Sequence, residues 1–147
     1  MEIIFVNSQE QLEQCLQLRR EVFVVEQQVP EHLEVDELDS LDAPCEHVLL
    51  LEGGEPVATA RMKEYDRHSA KIQRVAVKQG RRGSGLGRRV MEALEKRAFE
   101  RGYAFTVLDA QGQAEPFYRR LGYEVVSDEP FYDAGILHVR MSKKLHG

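Results

Sequence analysis

A chain of 147 residues, 42% hydrophobic and 31% charged, has the length for a single domain over 1–147 and the composition of an ordinary globular protein. Its net charge of -5, with no basic stripe interleaved with aromatics, argues against nucleic acid as a partner. The opening MEIIFVNSQE has no basic leader, no long apolar run follows, and Cys15 and Cys45 lack metal-ligand spacing, so the reading is a reduced, cytoplasmic protein with no membrane partner and no metal.

The charge is unevenly divided. Residues 1–60 carry 14 acids against Arg19 and Arg20 alone, whereas residues 61–147 carry 18 Lys/Arg against 11 acids. A basic half suits an anionic ligand, and an acidic half suits an acceptor that carries positive charge.

Taken in order, Glu2 to Val6 reads as a short strand, followed by a Ser8-x-x-Gln11 capping box and a helix from about Gln9 into the mid-twenties. The run FVVEQQVP leaves helical spacing, and Pro30 forbids its continuation. The acidic EHLEVDELDSLDAP is either a solvated surface loop or short helix, or an acidic wall for an amine, with Glu26, Asp36 and Asp39 as its candidates. Calcium is rejected there, because the segment lacks a central glycine and the terminal glutamate spacing.

Glu46 to Glu52 is a strand, turned by Gly53-Gly54 onto Pro56–Met62, and Ala70–Val77 returns antiparallel. Leu86, Val90, Ala93, Leu94 and Ala98 then form a helical stripe ended by Gly102. Tyr103–Asp109 must run parallel to Ile72–Val77, since a helix crosses between them. QAEPFYRRLGY gives a short helix, and Tyr123–Ser127 with Ile136–Ser142 close the sheet. The expected fold class is therefore α+β, with a mostly antiparallel mixed sheet whose central pair alone is parallel.

Between that pair lies RRGSGLGRR, Arg81 to Arg89. Gly83, Gly85 and Gly87 let the main chain approach a ligand closely, and the unpaired amides of the following helix face it, which suits a phosphate. Gly-x-Gly-x-Gly is not the dinucleotide fingerprint, and no Gly-Lys-Ser/Thr reaches for a triphosphate. Arg/Gln-x-x-Gly-x-Gly is met by Arg82, Gly85 and Gly87. With RVAV before it and Phe117-Tyr118 ahead of LGY, the chain resembles the GNAT family of N-acyltransferases over nearly its whole length. EVFVVEQQVP, DELDSLD, TARM, IQRVAV, LDAQGQAEPFYRRLGY and ILHVRM resemble a subgroup of it, the ElaA/YjcF-like proteins.

That resemblance implies a GNAT-type fold with a splayed central pair and acetyl-CoA as co-substrate. The pantetheine arm would lie on the backbones of Val75 and Val77, and the pyrophosphate on the amides of Arg82, Gly83, Ser84, Gly85, Leu86, Gly87 and Arg88. It also implies the Val75 N–H as oxyanion donor and Tyr118 as the acid for the departing sulfur, a role favoured over simple packing of a tyrosine on a short helix by Phe-Tyr-x-x-x-Gly at the expected place. Many relatives carry a glutamate on the first central strand, where this chain has Ile72-Gln73-Arg74. The base is thus left among Glu26, Asp39, His47 and His138. Gln111 stands where many relatives have an asparagine, as a CoA or acceptor contact. Glu26, Asp39, Arg61 and Arg74 are the substrate candidates, with the two arginines equally able to pair with the acidic segment.

The function read from this is transfer of an acetyl group to a primary amine of a small molecule, such as an amino sugar or polyamine, by direct attack in a ternary complex. The alternative is a non-catalytic acyl-CoA-binding sensor or partner subunit. A homodimer is one arrangement the sequence allows.

Overall fold

The computed structural model describes residues 1–127, 129–133 and 135–146. Eight strands form one sheet: β1 (Glu2–Phe5), β2 (Cys45–Glu52), β3 (Glu55–Asp66), β4 (Ser69–Val77), β5 (Phe105–Gln111), β6 (Glu124–Val125), β7 (Phe131–Asp133) and β8 (Ile136–Lys144). Their order is β1-β2-β3-β4-β5-β8-β6, with β7 also on β8, and of these pairings only β4–β5 is parallel. The helices are α1 (Gln9–Arg19), α2 (Glu31–Glu34), α3 (Leu86–Glu100) and α4 (Glu115–Arg120).

Local chemistry sets several boundaries. Ser8 Oγ accepts from the Gln11 N–H at 3.3 Å, the first half of the expected capping box, whereas Gln11 Oε1 accepts at 2.8 Å from the N–H of Asn7, one residue before the cap. α1 then runs on as a π-helix, Arg20–Glu26, marked by the bond from the Gln27 N–H to Val22 O, five residues back. The lost period in FVVEQQVP therefore comes from a wider helical turn and does not mark the end of the helix.

The wide, central β3 is covered on both faces. Ala58, Ala60 and Met62 pack in one core cluster with Val90, Met91 and Leu94 of α3. The alternate residues Thr59 and Arg61 are equally buried and point the other way, toward the side of α1 and the acidic segment. The closing strands differ from expectation. β6 is only two residues long and pairs with β8 at Ser142 and Met141, while Ile136 to His138 of β8 pair with β7, a three-residue strand with no alternation to reveal it.

Candidate active site

β4 and β5 pair over three register positions, Ser69 with Phe105, Ala70 with Thr106 and Lys71 with Val107. Beyond Lys71 they part around a cavity of about 1150 Å³, with Ile72, Val75 and Val77 on one wall and Leu108, Ala110 and Gln111 on the other. The π-helix supplies Phe23 and Glu26 and is followed by Gln27, while Phe117 and Tyr118 of α4 complete the lining beside the glycine loop. One cause of the parting is a bulge. Thr59 faces Ala76 and Arg61 faces Gln73, so Ala60 alone stands opposite Arg74 and Val75.

The loop between β4 and α3 is built for close approach. Gly83 and Gly85 take φ of +85° and +83°, Gly85 caps α3, and Ser84 Oγ donates to Arg81 O at 2.7 Å. Gly87 has another reason to lack a side chain, since a Cβ there would lie 3.1 Å from Phe117 Cζ and 3.5 Å from Val77 Cγ2. Leu86 is buried in the core and Arg88 is exposed toward Glu92, so the amides, more than the side chains, face outward at this helix start. Open space around Gly83 and Gly85 together with these amides fits a diphosphate.

α4 places its tyrosine by packing. Tyr118 stacks edge-on against Phe117 at 5.0 Å and Tyr123 at 5.9 Å, and Tyr123 is itself pinned by Glu95 Oε2 and Thr106 Oγ1, both 2.8 Å from its hydroxyl. Tyr118 lines the cavity while only 9% exposed, and burial pushes its pKa above the ordinary tyrosine range, keeping it protonated.

Behind the acidic segment lies an ionic cluster. Arg19 binds Glu34 Oε1 at 2.7 Å and both oxygens of Asp39; Arg61 binds Asp36 at 2.7 and 2.8 Å, Asp39 at 2.9 Å, and Gln73 Oε1 through both Nε and Nη2. All five Arg61 donors are thereby spent, and the side chain is 1% exposed. Arg74 gives its Nε to Glu34 O at 3.0 Å and Nη2 to Leu33 O at 3.2 Å.

These positions revise the list of candidates. Arg61 has no N–H left for a substrate anion. Arg74 turns to the backbone of α2, so the pairing with the acidic segment is what forms. Asp39 is enclosed between Arg19 and Arg61, which overcome its burial and hold its pKa at about 2, a value that makes it neither a base nor an accessible substrate contact. His47 lies outside the cavity wall, 4% exposed, its Nε2 3.3 Å from Leu38 O, and burial lowers its pKa. Glu26 reaches the cavity but pairs with Arg82, which holds its carboxyl below the usual range; Arg82 also donates to Val77 O.

His138 does line the cavity, with Nδ1 2.7 Å from Ile136 O and its ring stacked on Phe131. Gln111 lines it too and donates to Gln27 Oε1 at 3.2 Å, which ties β5 to the end of the π-helix. Gln27, Phe23 and Glu34 are wall residues that the sequence pattern did not single out. The wider π turn that aims the first two has no apolar period to announce it.

A family model for the acetyltransferase (GNAT) domain matches residues 6–145. The chain belongs to the GNAT acetyltransferase family. It is 40% identical to "Uncharacterized N-acetyltransferase YjcF" of Bacillus subtilis, over 97% of this chain and 99% of that one. Protein ElaA of Escherichia coli is 33% identical over 92% of this chain and 88% of its own, and the ElaA crystal structure superposes with a TM-score of 0.84 over 97% of this chain and 99% of that one. An acyl-CoA N-acyltransferase from Pseudomonas aeruginosa also gives 0.84, at 29% identity, over 97% of this chain and 99% of that chain. The GNAT fold, with its one parallel pair, and acyl-CoA-dependent N-acyltransferase activity follow from this membership. Among the described residues no helix is long and apolar enough to cross a membrane.

Proposed function

We propose that this GNAT protein transfers an acetyl group from acetyl-CoA to a primary amine of a small, uncharged or cationic acceptor such as a polyamine or amino sugar, by direct attack in a ternary complex. The observation that carries this reading is the early end of β4–β5 pairing, which leaves strand edges facing a cavity that runs to the glycine loop. Main-chain groups without a ladder partner need one, and an extended arm bearing amides supplies it to Val75 and Val77. Amides from Arg82 to Arg88 would hold the diphosphate, with Arg82 steadied by Glu26 and Val77 O. Gln111 closes the same end of the cleft from β5.

An acceptor amine with a pKa near 10.4 is about one part in several thousand neutral at pH 7, so the site must take a proton from it. His138 is the base in this reading. With Nδ1–H donating to Ile136 O, the Nε2 lone pair is left for the amine. The Val75 N–H stabilises the oxyanion, and Tyr118 donates to the sulfur as it leaves.

The acceptor class rests on charge. Arg61 has every donor spent, and Arg74 is drawn by Nε and Nη2 to the carbonyls of α2, so only its Nη1 group is left to meet a phosphorylated sugar. Glu34 lies in the cavity wall with Oε2 buried and without a partner among the described residues. A thiol-release assay with acetyl-CoA against polyamines, amino sugars and hexosamine phosphates tests this. Release with either of the first two and not with the third is expected. Tight CoA binding with no release for any amine would favour the acyl-CoA sensor instead.

A further inference from the structure

The extra residue in the β4 bulge is Arg74, at φ +57°. Such positions ordinarily fall to glycine, and a residue with a Cβ pays about 1 kcal/mol or more to sit there. Something must hold it. The Arg74 side chain crosses to α2, donating to Glu34 O at 3.0 Å and Leu33 O at 3.2 Å, with Glu34 Oε1 and Asp36 Oδ2 at 3.6 and 3.7 Å. Those carbonyls lie at the end of a four-residue helix that has no later turn to satisfy them. Leu33, Glu34 and Asp36 in turn line the cavity, and so does Val75, the next residue along β4.

We propose that Arg74 is a positioning residue that couples the two sides of the reaction. Clamped on the last carbonyls of α2, its guanidinium holds the bulge in the left-handed conformation, which aims the Val75 N–H into the cleft. The same bonds seat α2 as the acceptor wall. One side chain thus sets the oxyanion donor and the acceptor wall relative to each other, without touching the reacting atoms. The task of the N–H rests on the transferase reading above; the coupling itself rests on the geometry.

Two variants separate the parts. Arg74→Asn tolerates positive φ but has no guanidinium, and Arg74→Lys keeps the charge with a single attachment point. Amide hydrogen exchange of the whole protein is read first. Arg74→Asn should exchange at least ten-fold faster in both 74–77 and 31–36 while α3 keeps its wild-type rate, with Arg74→Lys in between. Unchanged exchange in either segment overturns the coupling. Thiol release and CoA titration are read second. The expected result for Arg74→Asn is a kcat lower by ten- to a hundred-fold with the CoA Kd within about three-fold, and partial recovery in Arg74→Lys. Unchanged kcat, or a loss of CoA affinity as large as the loss of kcat, overturns it. A wild-type protein that turns over no amine would remove the transferase reading, while the exchange result would still decide the coupling.

Discussion

Asp39→Asn strikes the centre of the ionic cluster. Asp39 Oδ1 accepts from Arg19 at 2.6 Å and Arg61 at 2.9 Å, and Oδ2 accepts from Arg19 and from the Asp36 N–H, both at 3.0 Å. Burial raises its pKa, but Arg19, the Asp36 N–H and Arg61 together outweigh burial and bring it to about 2. In the unfolded chain an aspartate titrates near 3.9. The folded value is the lower one, so the associated stability is fully present above about pH 5 and is lost as the pH falls through 2; its size is roughly 2–3 kcal/mol. Asparagine leaves two buried guanidinium groups short of a counter-charge, a cost of about 3–5 kcal/mol near neutrality, or roughly 10 °C in Tm for a chain of this length. Because asparagine does not titrate, the gap between wild type and variant should narrow by about 2 kcal/mol from pH 6 down to pH 2. Urea unfolding followed by circular dichroism at pH steps through that range measures it. Parallel curves for the two proteins, or a cost below about 1 kcal/mol at pH 6, would refute the account of Asp39 as the shared counter-ion.

Three substitutions address the cleft. Tyr118→Phe should lower kcat by about ten- to a thousand-fold with acetyl-CoA affinity little changed, as read by thiol release and calorimetry; unchanged turnover removes the hydroxyl from the chemistry. Gly85→Val places a β-branched side chain at φ +83° over the amide cradle, and calorimetry should find CoA binding abolished while far-UV circular dichroism stays native. His138→Gln should cost about a hundred-fold in kcat with CoA binding preserved, and a variant that keeps wild-type kcat would return the base to solvent.

What the residues announced and what they hid have different physical origins. The strand, glycine turn and helix around Arg81–Arg89 were legible because each is a short-range signal. The parallel direction of β5 followed from chain connectivity once a helix had to cross over. The bulge at Arg74 gave no such sign, because an arginine in the left-handed region is held there by bonds to residues 40 and 41 positions away. The same is true of Arg61, whose partners Asp36 and Asp39 lie 25 and 22 residues earlier. The π-helix escaped because its wider turn erases the 3.6-residue period by which helices are recognised.

The charge asymmetry of the chain is largely consumed inside the fold. The excess of acid in residues 1–60 suggested a wall that attracts cations, yet Glu34, Asp36 and Asp39 are matched by Arg19, Arg61 and Arg74 in a cluster whose formal charges cancel. Those acids neutralise arginines that α1, β3 and β4 carry into the interior, and a neutral cluster exerts little field on an approaching amine. Acceptor preference then depends on what the cluster leaves over at the cavity surface. Glu34 Oε2, buried and without a partner among the described residues, is one such remainder. A single carboxylate oxygen at short range discriminates by hydrogen bonding more than by long-range attraction, so among unphosphorylated amines the acceptor should be selected chiefly by where its amine sits relative to this wall.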